Sequence, residues 1–375
     1  MTSSFKKYIL TVATLSGTII GVGLFSLPYI TVKVGLWVML GYLVVLTALV
    51  LLIHLFFAEV ALKTPDFLRL PGYSQFHLGK AGRIAATIII ILGSFGTILA
   101  YIIIGGDFLS NLLVPIFGGS NFIYTFIYFL TGALFIFWGT KAISKIEFWG
   151  MLLFFISLLI VFQNGLGFIR LENLPFQVKS SGNLFLPYGP ILFALWGATL
   201  IPEIEEMLGR DKKMIKKVVI ASAIIPALCY FLFILLITSI SGSSTSYEAI
   251  SGLKNVLGNG IVNIMFIAGI LATFTSFIAI GLNLKKVLWY DIKIPKNISW
   301  ALTCFIPLIL YVVGFKDFIG VIGFIGAVAL AAEGILILLM YRKVEKRKIR
   351  FLAYPLISIF IMGIIYEIIY FFKFL

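Results

Sequence analysis

The groups in this chain best placed to do chemistry are main-chain groups, exposed where glycine keeps a helix from closing its own hydrogen bonds. Residues 17 to 23 read Gly17-Thr18-Ile19-Ile20-Gly21-Val22-Gly23, in the middle of an apolar run otherwise long enough to cross a bilayer. Each glycine in a helix interior costs about 1 kcal/mol against alanine. Backbone freed at membrane depth is tolerated only where protein or a polar cavity satisfies it. A half-helix restarting after Gly23 presents free N–H groups and a positive dipole end to whatever sits in the gap, which suits a carboxylate. Alone, Gly17-xxx-Gly21 also fits close helix packing. A second interruption decides between the two: Phe193-Ala194-Leu195-Trp196-Gly197-Ala198-Thr199-Leu200-Ile201-Pro202, where Gly197 weakens the helix and Pro202 lacks a backbone donor.

The elements that must position these groups are membrane helices. The chain is 61% hydrophobic and only 12% charged, with a mean hydropathy of +1.12, which excludes a soluble globule. Eleven apolar runs of spanning length are expected, at 8–31, 35–62, 84–115, 122–138, 147–169, 184–207, 214–240, 261–290, 297–313, 319–341 and 351–372. The first follows Lys6 and Lys7 but is too long for a signal peptide and has no small-residue cleavage pattern, so it reads as a retained helix. Cys229 and Cys304 lie inside apolar runs and read as small buried hydrophobes rather than a disulfide.

The net charge of +14 follows the connections. With the N-terminus in the cytoplasm, alternate connections carry 23 of the 29 basic residues, including Arg210, Lys212, Lys213, Lys216 and Lys217. The opposite side has Lys33, Arg170, Lys179, Lys254, Lys316 and Lys373. The positive-inside rule then predicts a cytoplasmic N-terminus and an extracytoplasmic C-terminus in a cell membrane. No basic face remains for nucleic acid; the lipid bilayer is the expected surrounding partner.

A shift of about 178 residues lays the first five runs onto runs six to ten. Five helices per unit is odd, so the second copy would sit inverted. The expected organisation is a first five-helix repeat (1–170), an inverted second repeat (171–345) and an added eleventh helix (346–375). Interruptions at matching positions of inverted halves point to a binding site at the membrane midplane.

The stretch from Gly17 to Gly23, continued by Leu24-Phe25-Ser26-Leu27-Pro28-Tyr29, resembles the first-helix signature of the amino acid–polyamine–organocation superfamily, and within it the aromatic and neutral amino acid permeases. Ala194 to Gly197, then Ile201-Pro202-Glu203 and the basic run Arg210 to Lys217, is similar to the sixth-helix region of that group. Thr275-Ser276-Phe277 is similar to its eighth-helix element. The resemblance covers ten helices. It implies an all-α, leucine-transporter-like 5+5 inverted repeat with helices 1 and 6 broken, in which helices 1, 2, 6 and 7 move against a scaffold of helices 3, 4, 8 and 9.

Carried over, the resemblance places the carboxylate of a small-molecule amino acid at the amides of Gly21, Val22 and Gly23. The amino group would face carbonyls of Ile19 and Ile20 and of Phe193, Ala194 and Trp196. Tyr101 matches a position that closes over substrate, and Trp196 one that gates the pocket, although either could be a packed aromatic. Gly93, Ser94, Gly96 and Thr97 keep one face of the third helix small, more as a packing surface than as room for substrate. In sodium-coupled relatives the ion is held at positions that correspond to Gly17, Ile20, Ala272, Thr275 and Ser276. The alternative for the two hydroxyls is back-bonding to carbonyls of their own helix. Some proton-coupled relatives place a fifth-helix lysine here, and Met151 to Val161 contains none.

Ionisable groups at membrane depth are costly and mark function by default. Glu333 and Glu203 are the candidate proton sites; Glu205 and Glu206 are expected to face water, Glu59 to form a structural ion pair, and Asp107 to line an entrance. The two histidines, His54 and His77, have no metal-ligand spacing, and there is no nucleophile–base pattern or phosphate loop, so no enzyme activity or cofactor is expected beyond Na+ or H+ as coupling ion. The expectation is import of a neutral or aromatic L-amino acid by cation-coupled alternating access. The alternative is an amino-acid-sensing receptor of the same fold. No particular amino acid or oligomeric state is specified by these residues.

Overall fold

The computed structural model describes residues 3–139, 143–177, 184–345 and 348–374; the basic residues Lys141, Lys179, Lys346 and Arg347, which fall in connections between the expected runs, lie outside them. Continuous apolar runs can satisfy their backbone in lipid only as helices, and among the described residues all regular structure is helical. Helix α1 (Ser3–Ile19) stops at the first glycine break. After a 3-10 turn, Val22–Ser26, it resumes as α2 (Leu27–Val34), the two halves bent by 48°. There follow α3 (Leu36–Leu62), α4 (Leu70–Leu78), α5 (Lys80–Phe117), α6 (Asn121–Trp138) and α7 (Ile143–Gly165). The nine-residue α4 is a connecting helix that the apolar pattern did not predict.

The second half contains the other broken helix, α8 (Tyr188–Leu195) and α9 (Ile201–Leu208), separated by Trp196, Gly197 and a 3-10 turn Ala198–Leu200. Then come α10 (Lys212–Ser241), α11 (Lys254–Lys286), α12 (Lys296–Val313), α13 (Phe318–Phe324), a π turn Ile325–Leu330, α14 (Ala331–Val344) and α15 (Ala353–Phe374). Among the described residues, eight helices are long and apolar enough to span, α13 and α14 counting as one through the π turn, and the bent pair α1–α2 makes nine. The other two expected runs are helical but do not qualify as single spans: 184–207 is divided by its break into two eight-residue helices, and 147–169 qualifies only as the shorter apolar helix Ile156–Phe168 among the described residues.

Packing divides the helices into two groups. The halves α1–α2 and α8–α9 lie with α3 and α10, whereas α5, α6, α11 and α12 pack on one another. At the junction, α8 runs against the π turn so closely that a Cβ on Gly326 would land on the Gly189 carbonyl. A Cβ on Gly96 of α5 would lie 2.5 Å from Ile325 Cγ1, so the small face of α5 is a packing surface.

The ion pairs gather where α3, α9, α10 and α14 end together. Glu59 meets Lys63 at 3.2 Å and Lys212 at 2.9 Å, and Lys63 also reaches Glu345 at 3.2 Å. Glu59 is thus the structural ion-pair residue expected. Glu205 is not the solvent-facing residue expected. It is 1% exposed, accepts a hydrogen bond from the Tyr73 hydroxyl at 3.1 Å and pairs with Arg210 at 3.2 Å. Residue 205 faces inward because α9 buries Ile201, Ile204, Glu205 and Leu208 along one stripe.

Candidate substrate site between the broken helices

Both breaks are built to one plan. An α-helix stops, two residues lie between it and a 3-10 turn, and the chain then re-enters an α-helix with proline in its first turn, Pro28 in α2 and Pro202 in α9. Proline fits there because the first amides of a helix have no partner within it. The two breaks interlock. A Cβ on Gly23 would lie 2.8 Å from both Ala194 Cα and Cβ, and a Cβ on Gly197 would lie 2.7 Å from Ile19 Cγ1 and 3.2 Å from Leu15 Cδ1. Each broken helix therefore presents a glycine to the other. For Gly23 the missing side chain also admits the α8 backbone.

At this crossing the C-terminal ends of α1 and α8 converge. The Tyr230 hydroxyl of α10, fully buried, lies 2.6 Å from Ile19 O and 2.7 Å from Ala194 O. Those are two of the carbonyls expected to receive the amino group. Of the amides expected to receive the carboxylate, that of Gly21 donates to Ile19 O at 2.8 Å. Val22 and Gly23 are the first residues of the 3-10 turn, so their amides have no acceptor within it. Tyr101 is brought to the site: its hydroxyl lies 3.5 Å from the position a Gly21 Cβ would take. Ile20 and Phe193 are partly buried beside it.

Trp196 is anchored. Its indole N–H donates to Glu333 Oε2 at 3.0 Å, its ring lies against Gly334 and packs edge-on to Phe360, and it is 8% exposed. His54 of α3 accepts the Gly197 amide through Nε2 at 3.2 Å, and its ring stands edge-on to Trp196. An accepting Nε2 places the neutral imidazole proton on Nδ1. Glu333 is 3% exposed, and its Oε1 is buried with no hydrogen-bond partner. Glu203 stands instead at the ion-pair end, 3.4 Å from Arg69.

The expected ion ligands are split between two packing environments. Gly17 and Ile20 belong to the α1 break, and α1 packs chiefly on α10 and α9; Ala272, Thr275 and Ser276 belong to α11, which packs chiefly on α5, α7 and α6. The Thr275 hydroxyl donates to Ala272 O at 3.1 Å, which is the back-bonding alternative; both oxygens retain lone pairs for a cation. Asp107 sits on α5, where Asn121 donates to Oδ1 at 2.7 Å and Tyr247 to Oδ2 at 2.5 Å.

Tyr230 and His54 are the site residues that sequence reasoning missed. Each is a hydrogen-bonding side chain inside an otherwise apolar run, and that isolation is the signal that could have marked them.

Two broken helices crossing inside a helical membrane protein, with C-terminal carbonyls of both meeting at one buried hydroxyl, are the architecture at the centre of this chain. The chain belongs to the tryptophan/tyrosine permease family, whose pattern matches residues 5–369. It is 28% identical over 337 residues to the tyrosine-specific transport system 1 of Haemophilus influenzae, covering 83% of this chain and 82% of that one. It is also 23% identical over 327 residues to glutamine transporter 2 of Aliivibrio fischeri, covering 84% and 83%. The fold is similar to the crystal structure of MhsT in complex with L-phenylalanine, with a TM-score of 0.66 over 96% of this chain and 98% of that chain at 14% identity. The leucine-transporter-like fold expected from sequence is borne out, and the family is one of transporters, not enzymes. The protein is a multi-pass membrane protein.

Proposed function

We propose that this protein is a secondary active transporter that imports an aromatic or neutral L-amino acid, held between the α1–α2 and α8–α9 breaks, by cation-coupled alternating access. The observation that carries the reading is the crossing itself, where C-terminal carbonyls of both broken helices converge on one buried point and the first amides of a new turn lie a few residues away. Carbonyl ends suit an ammonium and amide ends suit a carboxylate. The relatives named for tyrosine and glutamine transport and the phenylalanine complex of MhsT support an amino acid as cargo. The separation into bundle and scaffold supports rocking of one against the other. In this reading the two five-helix units are inverted repeats and the N-terminus is cytoplasmic, in accord with the basic connections.

Sodium is the proposed coupling ion, with oxygens from Gly17, Ile20, Ala272, Thr275 and Ser276. A proton on Glu333 is the second reading, favoured by the buried Oε1 without a partner. Uptake of radiolabelled tyrosine, tryptophan and phenylalanine into proteoliposomes, with sodium and proton gradients imposed separately, tests both. Accumulation driven by sodium at fixed pH supports the first, accumulation driven by a proton gradient without sodium supports the second, and binding without uptake would overturn transport.

A further inference from the structure

We propose that the Tyr230 hydroxyl is a built-in placeholder for the substrate ammonium, holding the ammonium site in the absence of amino acid and giving it up on binding. The inference rests on the transport reading above, in which the ammonium docks on carbonyls of α1 and α8.

One hydroxyl oxygen lies 2.6 Å from Ile19 O and 2.7 Å from Ala194 O. A phenolic hydroxyl has one proton, so it can donate to only one of these carbonyls at a time. The other short oxygen–oxygen contact has no proton in it. Ile19 is the last residue of α1, and Ala194 lies one residue before the end of α8. Both oxygens therefore stand at negative dipole ends, where a cation is favoured. Ile19 O also receives the Gly21 amide at 2.8 Å, which leaves Ala194 O the more weakly served. A primary ammonium has three donors and a full positive charge, and its ordinary donor–acceptor distance is the one the tyrosine oxygen now keeps. The two groups thus compete for one position. Cys229 adjoins Tyr230 in sequence, but nothing in the contacts of the two carbonyls requires it.

The consequence is a sign. Tyr230→Phe removes the placeholder and takes the one hydroxyl donor from these carbonyls in the empty protein, Ile19 O keeping the Gly21 amide, while the amino-acid-bound form keeps its ammonium contacts. The empty state rises relative to the bound state, and binding tightens. A hydroxyl that instead contacts substrate directly would give weaker binding on removal.

The test is equilibrium binding of tritiated L-tyrosine, L-tryptophan and L-phenylalanine to the full-length protein in nanodiscs, wild type against Tyr230→Phe, with 3-(4-hydroxyphenyl)propionate as an analogue lacking the amino group. The dissociation constant of the amino acids is expected to fall about two- to tenfold, the range of one net hydrogen bond, with competition by the analogue unchanged. An unchanged or higher dissociation constant overturns the placeholder, as does equal tightening of the analogue. If the wild type binds none of the three amino acids, the transport reading itself fails, a result separate from failure of the substitution alone. Should Tyr230→Phe not fold, 3-fluorotyrosine placed at position 230 decides: its fluorine resonance shifts on addition of amino acid but not of the analogue, and no shift overturns the proposal.

Discussion

The two breaks share a plan, and Tyr230 reaches both, but they differ in how much of each is made by its own segment. The first is written into its own segment. Glycines at 17, 21 and 23 weaken the helix, and Gly21 closes a local turn onto Ile19 O. The second contains one glycine and is held open from outside, by His54 on α3 taking the Gly197 amide and Glu333 on α14 taking the Trp196 indole. A break made by glycine needs little support, because its backbone has no side chain to displace. A break made in a sequence as apolar as Phe193 to Leu200 needs partners for what it exposes, since an unpartnered buried donor costs about 1–3 kcal/mol.

The comparison can be broken first where the helices touch. Gly23→Leu would drive its side chain into the α8 backbone at Ala194, so uptake is expected to vanish and stability to fall by about 1–3 kcal/mol, read by uptake and by thermal unfolding of the purified protein. Retained uptake would show that the breaks do not interlock. Gly197→Ala should cost less, because the atom its Cβ meets belongs to the Ile19 side chain rather than to backbone; equal losses at the two glycines would remove that distinction.

The external supports come next. Glu333→Leu leaves the Trp196 indole N–H buried without an acceptor and should lower stability by about 1–3 kcal/mol. Glu333→Gln keeps an acceptor and should retain the fold. If the Gln variant keeps its dependence on a sodium gradient, Glu333 is a strut; if it loses proton-driven accumulation alone, Glu333 is the proton carrier. His54→Ala should destabilise by about 1 kcal/mol without altering the first break, and protection of the Gly21 to Gly23 amides in hydrogen exchange would check that independence. The smallest effect on stability is expected from Thr275→Val with Ser276→Ala. That pair should raise the sodium concentration needed for half-maximal uptake, and an unchanged sodium dependence would remove the ion from this position.

Much of this was legible in the sequence, for an identifiable reason. Glycine and proline act on the chain locally, so Gly17 to Gly23 and Gly197 to Pro202 mark their interruptions without knowledge of neighbours. A continuous apolar run can satisfy its backbone in lipid only as a helix, so apolar length locates most of the spans. The ion pair of Glu59 was readable too, from its place beside a basic connection. The inward turn of Glu205 was not, because two adjacent glutamates at a helix end are distinguished only by the stripe that α9 buries. Nor could periodicity show that Gly23 meets Ala194, or that the small face of α5 meets the π turn at Ile325.

The sequence by itself determined that the chain lies in a membrane, where its helices break, and that the breaks pair. Those properties follow from hydropathy and from backbone freedom, which each residue carries with it. Only the tertiary structure decided which side chains serve the polar groups that the breaks expose. Tyr230, His54 and Glu333 come from three helices far from the breaks in sequence. Their roles follow from helix rotation and crossing, set by packing among residues that no local pattern records.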